Sequence, residues 1–265
     1  MNKAVSLEGK RIIVTGASTG IGAAAAEIMG SLGAKVLVAA RSEDKLKTVA
    51  GKVTKAGGEG HYFAADMAKE ADIKALADKA NELWGGVDGV FANAGMGGPA
   101  MPFADFPLAG YDEVMNVNVR SMFILIQRVL PGMLEQKSGS IVCTGSIASE
   151  RGLPMTPAYN ISKHAVLGLV RSVSSEVSRH NIRVNCLIPG LIRTPMLEGL
   201  AEVLSGGDVE QALKILEPMV PQGRIGTPEE AGWLAAFLLT DAASYVNGQA
   251  WAADGGMLGT MNNGG

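Results

Sequence analysis

Short β-rich runs alternate with longer helical stretches along almost the whole chain. The runs are RIIVT (11–15), KVLVAA (35–40), GHYFA (60–64), VDGVFA (87–92), SIVCT (140–144), IRVNCLI (182–188) and GQAWAA (248–253). Between them, segments such as GIGAAAAEIMGSLG and KEADIKALADKANELWG carry apolar residues at helical spacing. Strands that are apolar throughout and bounded by helices belong to a parallel sheet covered on both faces. Right-handed crossovers then give a doubly wound α/β fold of about seven strands. One stretch breaks the alternation: residues 191–226 hold two helix-like pieces and no strand. An insertion at the C-terminal end of a strand stands where open α/β sheets bind ligands, so a substrate lid is expected there, against the alternative of a packing helix pair. With no linker or composition shift, residues 1–265 are expected to form one domain.

Composition narrows the function classes. Hydrophobic residues make up 47% and charged residues 18%, enough apolar material for a sizeable core. A net charge of −3 with dispersed basic residues offers no footprint for nucleic acid or anionic lipid. Cys143 and Cys186 each lie inside an apolar run and read as buried reduced thiols, and the histidines show no metal-ligand spacing. No apolar run is long enough to cross a membrane and no signal peptide opens the chain, so a soluble cytoplasmic protein is expected.

After the first strand comes TGASTGIG (15–22). A glycine-rich turn between a strand and a helix presents backbone N–H groups and the helix dipole to a phosphate. Further on, YNISK (159–163) sets Tyr159 and Lys163 four positions apart, on one helix face. That pair is either ordinary surface chemistry or a proton-transfer device. A free tyrosine, with a pKa of about 10, is a poor acid–base group at neutral pH, and a cation one turn away would favour the phenolate.

TGASTGIG, ANAG (92–95), a serine thirteen residues before YNISK, IPGLIRTPM (188–196) and ADGG (253–256) occur in the order and spacing of one family. The chain resembles the short-chain dehydrogenase/reductase superfamily over about residues 7–258. The resemblance implies a Rossmann-type sheet binding a nicotinamide dinucleotide. Gly16, Gly20, Ile21 and Gly22 would line the phosphates, Asp66 would meet the adenine, and Asn93, Ala94 and Gly95 would flank its ribose. Thr194 would hold the carboxamide, with Ser18, Thr19, Met67, Pro189, Gly190 and Ile192 as further contacts. Asp66 could equally cap a turn, and Thr194 could cap the helix that follows. The resemblance also implies a catalytic tetrad of Asn118, Ser146, Tyr159 and Lys163, in which Lys163 also binds the nicotinamide ribose. Asn118 would hold a water linking Lys163 to solvent, although Asn116 stands two residues away and either could bond backbone.

Where NAD users carry an acid after the second strand, this chain reads Ala40–Arg41. Loss of the acid and gain of a guanidinium favour NADP(H) over NAD(H), against Glu43 and Asp44 nearby and a neutral Thr19. Met96, Met101, Leu153, Met155, Met196 and Leu197 make the expected substrate pocket apolar and adaptable, suiting a hydrophobic secondary alcohol or ketone. Arg151 and Arg193 would either meet an acidic substrate group or pair with carboxylates. Two alternatives stand beside the alcohol/ketone oxidoreductase: a 3-oxoacyl-thioester reductase, and a dinucleotide-binding regulatory protein without turnover. The helices near 108–137 and 156–179 and the DGG strand resemble the family's tetramer contacts, so a homotetramer is expected.

Overall fold

The structure, a computed structural model, describes residues 3–260. Its centre is a seven-stranded parallel sheet in the order β3-β2-β1-β4-β5-β6-β7. The strands are β1 Arg11–Thr15, β2 Lys35–Ala40, β3 Glu59–Ala64, β4 Gly89–Ala92, β5 Gly139–Thr144, β6 Ile182–Pro189 and β7 Ala250–Ala253. Each expected run is a strand. β4 begins two residues later than its apolar run because the Asp88 side chain is bound to Arg11.

The helices are α1 Gly20–Ser31, α2 Glu43–Ala56, α3 Glu70–Trp84, α4 Leu108–Met115, α5 Ser121–Gln136, α6 Pro157–Val177, α7 Pro195–Ser205, α8 Val209–Leu216 and α9 Pro228–Leu239. Successive strand residues point to opposite faces, and both faces are buried. Ile13, Leu37, Val90, Ile141 and Val184 pack under α3, α5 and α6, whereas Val14, Val38, Phe91, Val142 and Leu187 pack under α1, α2 and α9. The strand order reverses direction between β1 and β4, which opens a crevice at their C-terminal ends.

The insertion after β6 contains α7 and α8, as expected. Its two stems meet in an isolated parallel bridge between Ile192 and Gly226, with Gly226 N–H bonded to Leu191 O and Arg193 N–H to Gly226 O, each at 2.9 Å. Leu197, Ala201, Ala212 and Leu213 give the insertion a small core of its own. Arg193 bonds Glu198 of α7 at 3.2 Å and also Glu210 of α8. No helix among the described residues is long and apolar enough to cross a membrane.

Arg11 aligns the two strands that flank the crevice. Its guanidinium holds both Asp88 oxygens at 2.7 Å and also reaches Trp84 O and Gln136. Although burial pushes the Asp88 carboxyl up, the bonds from Arg11 win and hold it below its ordinary value. Arg11→Met should therefore cost about 1–3 kcal/mol at neutral pH. A carboxylate with a depressed pKa contributes stability above its unfolded value, about 3.9, and loses it as pH falls through the folded value. The gap between variant and parent in urea unfolding should accordingly narrow below about pH 4.

Candidate active site

The crevice is built at the ends of β1, β4 and β5, where the chain turns polar. Thr15 closes β1, and its Oγ1 accepts the N–H groups of Asn93 and Ala94 at 3.0 and 3.1 Å. The Asn93 amide donates to Thr15 O and Gly16 O at 3.3 Å, and its oxygen accepts from Thr144 Oγ1 at 3.0 Å. Asn93, expected beside a ribose, thus spends its side chain on joining three strand ends.

The glycine turn leads into α1, whose N-terminus no side chain caps. The N–H groups of the first turn have no intrahelical partner and remain available to a phosphate. Gly22 sits so close to the turn that a Cβ would come within 2.4 Å of Gly16 O. Across from it, a Cβ on Gly20 would be 3.1 Å from Thr194 Cγ2, so the turn and the start of the insertion face one another. These features fit a dinucleotide: an open helix terminus, a turn without side chains and a second wall at Thr194. Thr194 is also the N-cap of α7, accepting from Leu197 N–H at 3.4 Å, and Asp66 Oδ1 accepts from Ala68 N–H at 3.0 Å in its own turn. Both capping alternatives are therefore realised. Arg41 follows β2 on the surface, and no ion pair involves it among the described residues.

Tyr159 and Lys163 lie in the first turns of α6, which starts at Pro157, a residue preset for a helix N-terminus. Lys163 is 3% exposed and donates its ammonium to Thr144 O at 2.8 Å. Burial lowers its pKa to about 8. The ammonium lies 5.5 Å from the centre of the Tyr159 ring. Burial raises the Tyr159 pKa, and a hydrogen bond with the Ser146 side chain offsets part of that rise. Among the chain's own groups burial therefore outweighs the hydrogen bond at the phenol, and the Lys163 ammonium is aimed at a carbonyl and is itself desolvated.

Ser146 lies two residues past β5 and caps a 3₁₀ turn, Ile147–Ser149, accepting from Ala148 N–H at 3.1 Å. Asn118, fully buried, falls in a π-helical turn, Asn116–Arg120, that links α4 to α5. Such turns cluster at functional sites. Its Oδ1 accepts from Met96 N–H at 2.8 Å, and its amide donates to Met96 O and Ser162 Oγ, each at 2.9 Å. Asn116 instead donates to Ala68 O at 2.9 Å, behind the Asp66 turn. Both asparagines therefore bond backbone, and only Asn118 does so beside α6.

Of the expected pocket residues, Met96 and Leu153 are half-buried, and Met155 and Met196 are exposed. Met155 adopts a left-handed backbone (φ 64°), and its carbonyl accepts Met101 N–H at 2.8 Å, tying the loops after β4 and β5 together. Leu197 is different: it is buried in the small core of the insertion. Arg193 is paired with carboxylates inside the insertion, whereas Arg151, exposed, donates to Leu258 O at 3.0 Å and has no ion pair among the described residues. A cavity of about 340 Å³ lies at the base of the insertion, walled by Val220, Arg224 and Asp254. It excludes the tetrad, so the side-chain chemistry locates the centre and the cavity does not. Thr15, Thr144, Ser149 and Ser162 were absent from the expected site. The two threonines had a signal, a single polar residue closing an otherwise apolar strand.

A family model described as Enoyl-(Acyl carrier protein) reductase matches residues 16–258. The chain is 40% identical over 251 residues to 2,5-dichloro-2,5-cyclohexadiene-1,4-diol dehydrogenase of Sphingobium indicum, covering 94% of this chain and 97% of the relative. Levodione reductase has a crystal structure that superposes with a TM-score of 0.91 at 34% identity, over 94% of this chain and 97% of that one. L-Sorbose reductase of Gluconobacter frateurii, solved with NADPH and L-sorbose, gives 0.91 at 32% identity, over 97% and 100%. The sheet order, the open glycine turn and matches of this length agree: the chain belongs to the short-chain dehydrogenase/reductase superfamily.

Proposed function

We propose that the protein is an NAD(P)(H)-dependent oxidoreductase that interconverts a secondary alcohol and a ketone on a compact, largely hydrophobic molecule. The carrying observation is the meeting of Tyr159, Ser146 and Lys163 beside an uncapped glycine turn. The nicotinamide ring supplies hydride transfer and, when oxidised, a positive charge. Tyr159 gives the proton to, or takes it from, the substrate oxygen, and Ser146 donates a hydrogen bond to that oxygen. Lys163, fixed by Thr144 O, would hold the ribose hydroxyls of a bound dinucleotide. Asn118 is a member of the tetrad that sets the Met96 backbone against α6.

Hydrophobic substrate is favoured by Met96, Leu153, Met155 and Met196, and by the pairing of Arg193 with carboxylates of the insertion. The relative with 40% identity is named for a chlorinated six-membered cyclic diol, which fits that description. α7 and α8 serve as the lid. A thioester reductase serving an acidic carrier protein is less favoured, because Arg120, Arg128, Arg193 and Arg224 each face a carboxylate.

NADP(H) is the preferred dinucleotide. Arg41 is free to take a 2′-phosphate, and the nearby Glu43 and Asp44 both face Lys47, at 2.9 and 3.9 Å. A homotetramer is proposed because Trp251 on the edge strand β7, Trp233 on α9, Phe123 on α5 and Ile161 on α6 are exposed apolar side chains.

Three measurements test these readings. Tyr159→Phe should lower kcat by about 10²–10⁴-fold in a nicotinamide absorbance assay with cyclic diols and ketones, while dinucleotide binding stays within twofold. A near-parental rate would remove Tyr159 from the chemistry. Arg41→Ala should weaken NADPH about tenfold more than NADH, read by fluorescence titration, and equal losses would remove the NADP preference. Light scattering should give a tetramer that Trp251→Asp breaks into smaller species, and a monomeric parent would contradict the assembly.

A further inference from the structure

Among the buried hydroxyls that the proposed mechanism does not use, one touches two tetrad members. Ser149 is 2% exposed, three residues beyond Ser146 and fourteen before Lys163. Its Oγ donates to Lys163 O at 2.8 Å and accepts from Ser146 N–H at 3.2 Å. One side chain therefore bonds directly to the backbones of two tetrad members on different elements, the turn after β5 and the second turn of α6. A serine hydroxyl has one proton to donate, and here it goes to the helix carbonyl, leaving the oxygen's lone pairs for the amide. The neighbourhood is built around that oxygen: a Cβ on Gly145 would come within 2.7 Å of Ser149 Oγ and of Cys186 Sγ alike.

We infer that Ser149 is a positioning residue that sets the separation of Ser146 from Lys163, and through it the hydroxyl and the ammonium that flank the Tyr159 phenol. Lys163 is tied at both ends by this arrangement. Its ammonium bonds Thr144 O on β5, and its own carbonyl is bonded by Ser149 from the turn that follows β5. The lysine cannot slide along α6 relative to the strand without breaking one of the two bonds. With Ser149 gone, the Ser146 N–H loses its partner in a site too buried for bulk water to replace it, and the 3₁₀ turn loses half of its reciprocal cap. Misplacement on the scale of an ångström at a reacting centre costs about a hundredfold in rate.

The inference rests on the proposed tetrad, and the experiment separates the two. Ser149→Ala should lower kcat about ten- to a hundredfold while the KM for the dinucleotide stays within about twofold, because the glycine turn does not depend on it. The primary isotope effect on kcat with cofactor deuterated at the transferred hydride should rise, since hydride transfer becomes slower than release. A serine that merely supported folding would reduce the active fraction and leave the isotope effect and the rate per folded site unchanged. Ser149→Thr keeps the hydroxyl and should recover at least half of the parental kcat. Parental kcat and isotope effect in folded Ser149→Ala would overturn the inference, as would a folded Ser149→Thr no better than the alanine variant. If Tyr159→Phe kept its rate, the tetrad itself would fail, whatever the Ser149 variants did.

Discussion

The amide of Asn93 holds the working end of the sheet together. Parallel strands are bonded along their length, but nothing in a ladder fixes where three of them stop relative to one another. Here a single side chain bonds the ends of β1 and β5 from the end of β4, and Thr15 and Thr144 complete the clasp. Everything with chemical character hangs from those ends. The glycine turn leaves β1 next to the clasp, Ser146 follows β5 by two residues, and Lys163 reaches down to the carbonyl of the same Thr144. Relaxing the clasp would move the phosphate cradle, the hydroxyl and the ammonium together.

That arrangement also decides how charge is handled. Lys163 is an ammonium buried almost completely, with a carbonyl and not a carboxylate for a partner, so it loses hydration without gaining an ion pair. The phenol beside it is pushed toward its neutral form by the same burial. The chain alone therefore keeps the phenol neutral beside a lysine whose charge is weakened but retained, and a positively charged ring brought in by a dinucleotide would favour the phenolate directly. In the proposed mechanism the acid–base function is latent in the protein and would be drawn out by its cofactor.

Most of the fold was legible because its cause is local. Apolar runs such as RIIVT and SIVCT had to be buried on both faces, and each became a strand of the parallel sheet. The insertion was legible as an interruption, and its two helices lie where the rhythm failed. The candidate site was legible by motif, yet several roles were not, because they depend on where a side chain turns in three dimensions. Leu197 looks like any apolar residue beside a pocket, but helical geometry turns it toward Leu213. Asn93 lies in a motif associated with ribose but faces the strands. The π-helical turn at Asn118 has no signature in NVNVR, since it arises from how α4 must join α5 around the Met96 loop.

The insertion has a consequence for how such a protein can change. Its two helices share a small core, an arginine between them ties one carboxylate on each, and its stems close on each other at Ile192 and Gly226. Its stems are bound to the body, through Ile192 in the main core, Gln222 N–H on Gly255 O and Arg224 on Glu230 of α9, while α7 and α8 carry a packing of their own. Substitutions on the outward faces of those two helices can be absorbed there without moving the sheet. Residues such as Met196, exposed on the first turn of α7, can therefore drift in size or polarity while the strand ends stay fixed. With the insertion as the proposed lid, selectivity for the molecule being oxidised or reduced would diversify at a different tempo from the chemistry performed on it.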